Sequence, residues 1–229
     1  MPLSLPALNR SALNRAVLAA ALAVLALVPA AAMAQAAAAS TPVAGVDYVE
    51  IAGGEPFAAA PGKIEVAEVF GYTCIHCAHF EPLVSAWEAG LADDVSFVPV
   101  PAPFGGYWVP YAQAFYAAQE LGLLDRTHAA MFRALHETGS LPIVNATAAE
   151  IAGFYAGHGA DAGQFAEAMT SEATTAKLER ARGFLRRSGV EGTPTLIVAG
   201  KYRVLGGSFQ ESLDIASALI ERERAQRRR

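Results

Sequence analysis

Cys74 and Cys77 are the only cysteines in the chain, and they stand two residues apart in Gly71-Tyr72-Thr73-Cys74-Ile75-His76-Cys77, where a β-branched apolar run gives way to a helical pattern. A thiol pair at that spacing can open and close a disulfide as a chemical reaction. It would make a poor structural staple, because closing so short a loop removes little entropy from the unfolded chain. Attack in disulfide exchange is by thiolate, so one sulfur needs its pKa lowered by helix-terminal amides or a nearby positive charge. Cys74, at the expected N-terminus of the helix, has that setting, and Cys77, one turn further in, should be more buried. His76 can donate to the Cys74 thiolate or, protonated, add charge; either favours the reduced form and makes the disulfide a stronger oxidant.

Three further positions bear on this chemistry. Thr193-Pro194 leads directly into an apolar strand pattern, and a cis bond there would bend the chain so that the preceding backbone is exposed beside another loop. An isolated X-Pro is ordinarily trans; the pairing with the cysteines is what favours cis. Glu68 falls six residues before Cys74 on an expected buried strand, and Glu81 seven after it on the helix. A carboxylate there could carry protons for Cys77 or raise thiol pKa values through its charge, whereas each taken alone reads as an exposed charge. Zinc is the competing chemistry for cysteine with histidine. His79 shares the helix of the thiols, while His128, His136 and His158 lie in a helical region without a second Cys-x-x-Cys, so no metal and no cofactor is expected.

The elements that must position these residues are legible as periodicities. Strands are expected at Asp47 to Ala52, Lys63 to Phe70 and Val95 to Val100, with a helix from Cys74 to about Leu91 kinked at Pro82. From Trp108 to Arg187 the pattern is helical, broken at Gly122, at Gly139 to Pro142 and at His158 to Gly163, with Thr147 and Glu150 as a capping box. Thr195 to Ala199 and Tyr202 to Leu205 flank Gly200-Lys201 as a hairpin, and Phe209 to Arg224 is an amphipathic helix. The order is β–β–α–β, an all-helical insertion, then β–β–α. The implied divisions are a signal at 1–34, a disordered leader at 35–45, a first half at 46–104, an inserted helical domain at 105–188, and a second half at 189–229.

Composition narrows the setting. Arg10 and Arg15 without acids, the apolar stretch Ala16 to Val28 and Ala32-Met33-Ala34 form an export signal with a cleavage site, an uncleaved anchor being the alternative. No cysteine follows the cleavage site to carry a bacterial lipid anchor. The formal charge of −5 becomes −7 once those two arginines are removed. A mildly acidic exported chain is a poor fit to nucleic acid, and the terminal cluster Arg222, Arg224 and Arg227 to Arg229 reads as a solvated, frayed tail. Exported compartments let disulfides form and persist, so a dithiol there meets cysteine-containing folding clients.

Phe70-Gly71-Tyr72-x-Cys74-x-His76-Cys77, the helical insertion, Val190-Glu191-Gly192-Thr193-Pro194-Thr195 and Gly200-Lys201-Tyr202 together resemble the DsbA family of exported thiol:disulfide oxidoreductases. The resemblance implies an α/β thioredoxin fold with an inserted helical domain. It makes Cys74 the nucleophile, Cys77 its buried partner, His76 the tuning residue, Pro194 the cis-proline, and Glu68 and Glu81 the acidic pair around the thiols. Ile75 stands where many members carry proline and Thr193 where many carry valine, both touching the disulfide and so bearing on potential and client preference. The implied partners are folding exported proteins in the periplasm and a quinone-linked membrane oxidase of the DsbB type. The rivals are an isomerase or reductase of the DsbC or DsbG kind, a peptide-binding chaperone with incidental thiols, and a thioredoxin-fold transferase.

Overall fold

The computed structural model describes residues 41–229, so the expected signal at 1–34 and the leader up to residue 40 lie outside the described residues. Strand β2 (Ile64–Phe70) is buried at all seven positions because β4 (Thr195–Val198) lies antiparallel on one side and β3 (Val95–Pro101) parallel on the other. The parallel connection requires a crossover, supplied by α1 (Ile75–Glu88). β5 (Tyr202–Val204) pairs antiparallel with β4, and β1 (Tyr48–Glu50) closes the sheet against β5, giving the order β1-β5-β4-β2-β3. This is the thioredoxin fold. Between β3 and β4 run five helices: α2 (Trp108–Glu120), α3 (Leu124–His136), α4 (Ala148–Ala156), α5 (Ala162–Thr170) and α6 (Glu172–Arg187). The chain ends in α7 (Phe209–Arg227).

Successive residues of β2 face opposite sides of the sheet and build two cores. Ile64 and Val66 join Phe80 and Val84 of α1 and Leu213 and Leu219 of α7. Ala67 and Val69 join a larger core continuous with the helical insertion through Phe115, Phe132 and Tyr155. The insertion therefore packs on the sheet and on the loop that carries the cysteines.

Several local readings need correction. Residues 43–45, assigned to the leader, form a turn in which the Val43 amide donates to Asp47 Oδ2 at 2.7 Å and the Gly45 amide to the Tyr48 carbonyl at 2.8 Å. The hairpin turns at Ala199-Gly200, one residue before the expected pair: the Lys201 amide donates to the Val198 carbonyl at 2.9 Å, and both central residues have positive φ, 53° and 69°. Positive φ at both centres matches the twist of the flanking strands. Gly200 is needed twice over, because a Cβ would lie 2.1 Å from the Glu55 backbone. Helix α1 contains Pro82 and stops at Glu88, short of Leu91, and a further break falls at Ser171, which ends α5 and caps α6.

Arg222, Arg224 and Arg227 are not part of a frayed tail. Arg224 grips Asp94 with two nitrogens at 2.5 and 2.6 Å, and Arg227 donates to the carbonyls of Gly62 and Lys63 at 3.1 and 2.9 Å. Arg222 lies over the rings of Tyr48 and Tyr202. Side chains facing back along the helix hold its last turns against the ends of β2 and β3, an outcome that sequence spacing alone does not reveal.

Candidate active site

Cys74 occupies the N-cap of α1, with φ −91° and ψ 116°, where a serine or aspartate oxygen would ordinarily accept from the free amides of the first turn. Here a thiol stands at that position and makes no side-chain capping hydrogen bond. The thiol is pulled down to about 5, first by hydrogen bonding from the Cys77 side chain, against the opposing effect of burial, and then by the Thr193 side chain and the amides of Cys77 and His76. The first turn holds no acidic residue to counter this. Both sulfurs are free thiols, Cys74 half-buried and Cys77 only 1% exposed. Burial pushes the Cys77 thiol far up, and hydrogen bonding to Cys74 and the charges of Cys74 and Glu68 push it further. One thiol is thus ready to ionise and attack while the other keeps its proton.

Glu68 and Glu81 both lie at this centre, in different states. Glu81 is 9% exposed and held on both oxygens: Ser85 Oγ donates to Oε1 at 2.8 Å, and His128 Nε2 lies 3.3 Å from Oε2. Burial acts to raise its pKa, but the hydrogen bond and charge of His128 and the Ser85 hydroxyl bring it below the usual value. Glu68, 3% exposed, has no ion-pair or hydrogen-bond partner for its carboxyl among the described residues. It is raised to about 8, first by burial and then by the charges of Glu81 and Glu88.

The loop that presents Cys74 is fixed from the helical insertion. Gly71 lies flat against the Trp108 ring, so close that a Cβ would sit 2.1 Å from it. Tyr72 is gripped by two histidines of α3: its hydroxyl lies 2.7 Å from His128 Nδ1, and its carbonyl 2.7 Å from His136 Nε2. The sequence reading weighed both histidines only as metal ligands and so missed their part here. Their spacing of eight places them on one helix face, but nothing in the sequence points that face at Tyr72.

Thr193-Pro194 is cis, as expected, and brings the Thr193 carbonyl to 3.5 Å from Cys74 Sγ. Beside it a pocket of 160 Å³ is lined on one part by Phe80, Pro194, Leu196, Val204 and Phe209 and on the rest by Thr195, Ser208, Ser212 and two glycines. Ile75 is exposed next to Cys74, and Phe104 and Tyr107 are exposed around Trp108, whose ring packs on Gly71 of the same loop. His76 is exposed, and it is its backbone amide that favours the Cys74 thiolate. His79 is also exposed, and His158 Nδ1 lies 3.0 Å from the Phe154 carbonyl. Among the described residues no three His, Cys, Asp or Glu side chains are grouped to hold a metal.

A low-pKa thiol at the N-terminus of the first helix of a thioredoxin fold, with a buried partner thiol and beside the carbonyl that precedes a cis-proline, defines a thiol:disulfide oxidoreductase. Comparison with known proteins gives the family. Residues 108–216 match the DSBA-like thioredoxin domain. The chain is 41% identical over 184 residues to the thiol:disulfide interchange protein DsbA of Azotobacter vinelandii, covering 79% of this chain and 84% of that one. It is 40% identical to DsbA of Pseudomonas aeruginosa, covering 80% and 86%. Among solved structures, DsbA from Xylella fastidiosa superposes with a TM-score of 0.79 at 48% identity, covering 81% of this chain and 99% of that chain. The chain belongs to the DsbA family and is a thiol:disulfide oxidoreductase.

Proposed function

We propose that the protein is a periplasmic dithiol oxidase that donates its Cys74–Cys77 disulfide to folding exported proteins. A client thiolate attacks Cys74 Sγ, forming a mixed disulfide as Cys77 leaves with the electron pair of the broken S–S bond and takes up a proton. A second client thiolate attacks the client sulfur, releasing the oxidised client and the Cys74 thiolate. Two electrons and the client's thiol protons are thereby exchanged for one disulfide. The observation that carries this reading is the placing of Cys74 at the N-cap of α1, half-buried beside the fully buried Cys77, where its thiol is pulled down to about 5; a favoured thiolate stabilises the reduced form and so drives the disulfide to oxidise others.

Other residues support it. The backbone at Thr193 lies beside the thiol, where an extended client segment can align, and the apolar part of the pocket and the exposed Ile75 offer affinity without demanding a sequence. Cys77 is the leaving sulfur and Glu68 acts on it; Pro194 follows the Thr193 carbonyl beside Cys74; Glu81 acts through Glu68, and Ile75 and His76 flank the thiol. The export pattern at residues 1–34 supports the periplasm as location. Each turnover leaves a dithiol, so an electron acceptor is required, and a quinone-linked membrane oxidase of the DsbB type suits that need.

The test is the equilibrium of the purified protein with glutathione, followed by thiol alkylation. The expected result is a potential well above the glutathione couple, with the reduced form the more resistant to urea. A potential on the reducing side, near that of a thioredoxin, overturns the oxidase reading in favour of a reductase or isomerase.

A further inference from the structure

Glu68 and Glu81 are both buried, and the charge of Glu81 raises Glu68, so the two act as a like-charged pair that shares one proton more readily than it holds two charges. Burial is the largest cause holding the proton on Glu68, and the asymmetry of their partners adds to it. The geometry points to His128, a residue of the helical insertion, as the positioning residue that keeps the negative charge on Glu81 and the proton on Glu68, next to the leaving sulfur of Cys77. This rests on the oxidase reading above and assigns it a proton source.

The groups that face the pair come from four elements. Helix α1 contributes Cys77, Glu81, Ser85 and Glu88, and Cys74 stands at its cap; β2 contributes Glu68; the loop contributes Tyr72; and α3 contributes His128. Tyr155 of α4 acts on Tyr72 from behind. Within this set His128 is the one basic side chain, and its charge lowers both Glu81 and Glu88. Its orientation is fixed. The ring meets Phe70, Phe115 and Phe132 edge-on at 5.1 to 5.9 Å, and the Tyr72 hydroxyl on Nδ1 leaves Nε2 to face Glu81. Glu68 has no comparable partner among the described residues, and burial without one favours its neutral form.

The consequence lies in the step that breaks the protein disulfide. When the client thiolate bonds to Cys74, Cys77 leaves as a thiolate in a buried position that strongly disfavours that charge. The Glu68 carboxylic acid supplies its proton, becoming a carboxylate while Cys77 becomes a thiol, and Glu68 later regains a proton from solvent. Were the proton on Glu81 instead, Cys77 would face a carboxylate and have no acid beside it.

The test is His128→Leu, with Glu side-chain carboxyl carbons followed by NMR across pH, and with the disulfide's reaction with a short single-cysteine peptide timed at pH 7. The expected result is an exchange of roles: Glu81 binds its proton more tightly, Glu68 binds its own about tenfold more weakly, and the reaction slows about tenfold, at the low end of acid–base contributions. In a Glu81→Gln background the same substitution should no longer move Glu68. If His128→Leu does not fold, His128→Gln, which keeps a donor to Glu81 but carries no charge, must move both carboxyls in the same directions. Unchanged Glu68 and Glu81 midpoints in a folded variant, or an equal shift of Glu68 in both backgrounds, overturn the assignment. A wild-type disulfide that never reacts with the peptide sinks the oxidase reading instead, and the NMR midpoints still judge His128.

Discussion

Glu65 and Glu68 lie three residues apart on one strand and are buried to the same degree, at 2% and 3% exposure, yet they face opposite sides of the sheet and live in opposite conditions. The carboxylate of Glu65 accepts from the amides of Phe57 and Ala58 at 2.5 Å each, and Arg180, which bonds the Phe57 carbonyl, adds its charge. Burial raises Glu65, and those amides and Arg180 work against the rise. Glu223, on α7, is similarly satisfied by Lys201 at 2.7 Å and the Tyr202 hydroxyl at 3.0 Å. Glu68 alone of the three has no such partner among the described residues and is raised to about 8. A buried acid with partners holds the fold together; a buried acid without them costs stability and persists where the chemistry uses its proton.

That contrast can be broken by mutation. Glu65→Ala should lower stability by about 4 kcal/mol, because two buried amides lose charge-assisted partners. Urea unfolding at neutral pH measures this, and a loss under about 1 kcal/mol would remove Glu65 from the structural class. Glu68→Gln should behave in the opposite way. Because the folded Glu68 binds its proton more tightly than the unfolded chain does, its cost is absent below the ordinary carboxyl value of 4.5 and grows as pH rises towards about 8. The reduced wild type should therefore lose about 3 kcal/mol relative to the Gln variant between pH 5 and pH 8. Parallel stability curves for the two proteins would show that Glu68 is not held neutral by the fold.

The smallest effect belongs to Thr193. Its side chain favours the thiolates of both cysteines, so Thr193→Val should raise the Cys74 thiol above about 5 and weaken the protein as an oxidant severalfold in its glutathione equilibrium. A stronger oxidant would reverse the sign assigned to that hydroxyl.

Much of this centre was legible in the sequence because it is carried by local patterns. Cys-x-x-Cys after a β-branched run places one sulfur at a helix cap, and Gly-Thr-Pro before an apolar strand places the turn beside it. The run Val66 to Phe70 made Glu68 the harder of the two glutamates to dismiss as an exposed charge, but only the pairing of β2 on both sides shows that it and Glu65 are buried. The remainder depends on how elements pack. Tyr72 is separated from His128 and His136 by more than fifty residues and meets them only because α3 crosses the active-site loop. His76, beside the sulfur in sequence, turns its ring outward, since the first turn of a helix spreads its side chains around the axis. The terminal arginines were misread for a related reason: charge runs look solvated until the surface that receives them is known.

The most direct test of the central claim, one thiol poised to ionise above another that is not, is the pH dependence of thiolate absorbance near 240 nm in the reduced protein, checked against Cys74→Ser. A single thiolate appearing with a midpoint near 5 and vanishing in the Ser variant is the predicted result. A midpoint near the ordinary thiol value of 9.0, or a low-pH thiolate that survives in Cys74→Ser, would contradict the account.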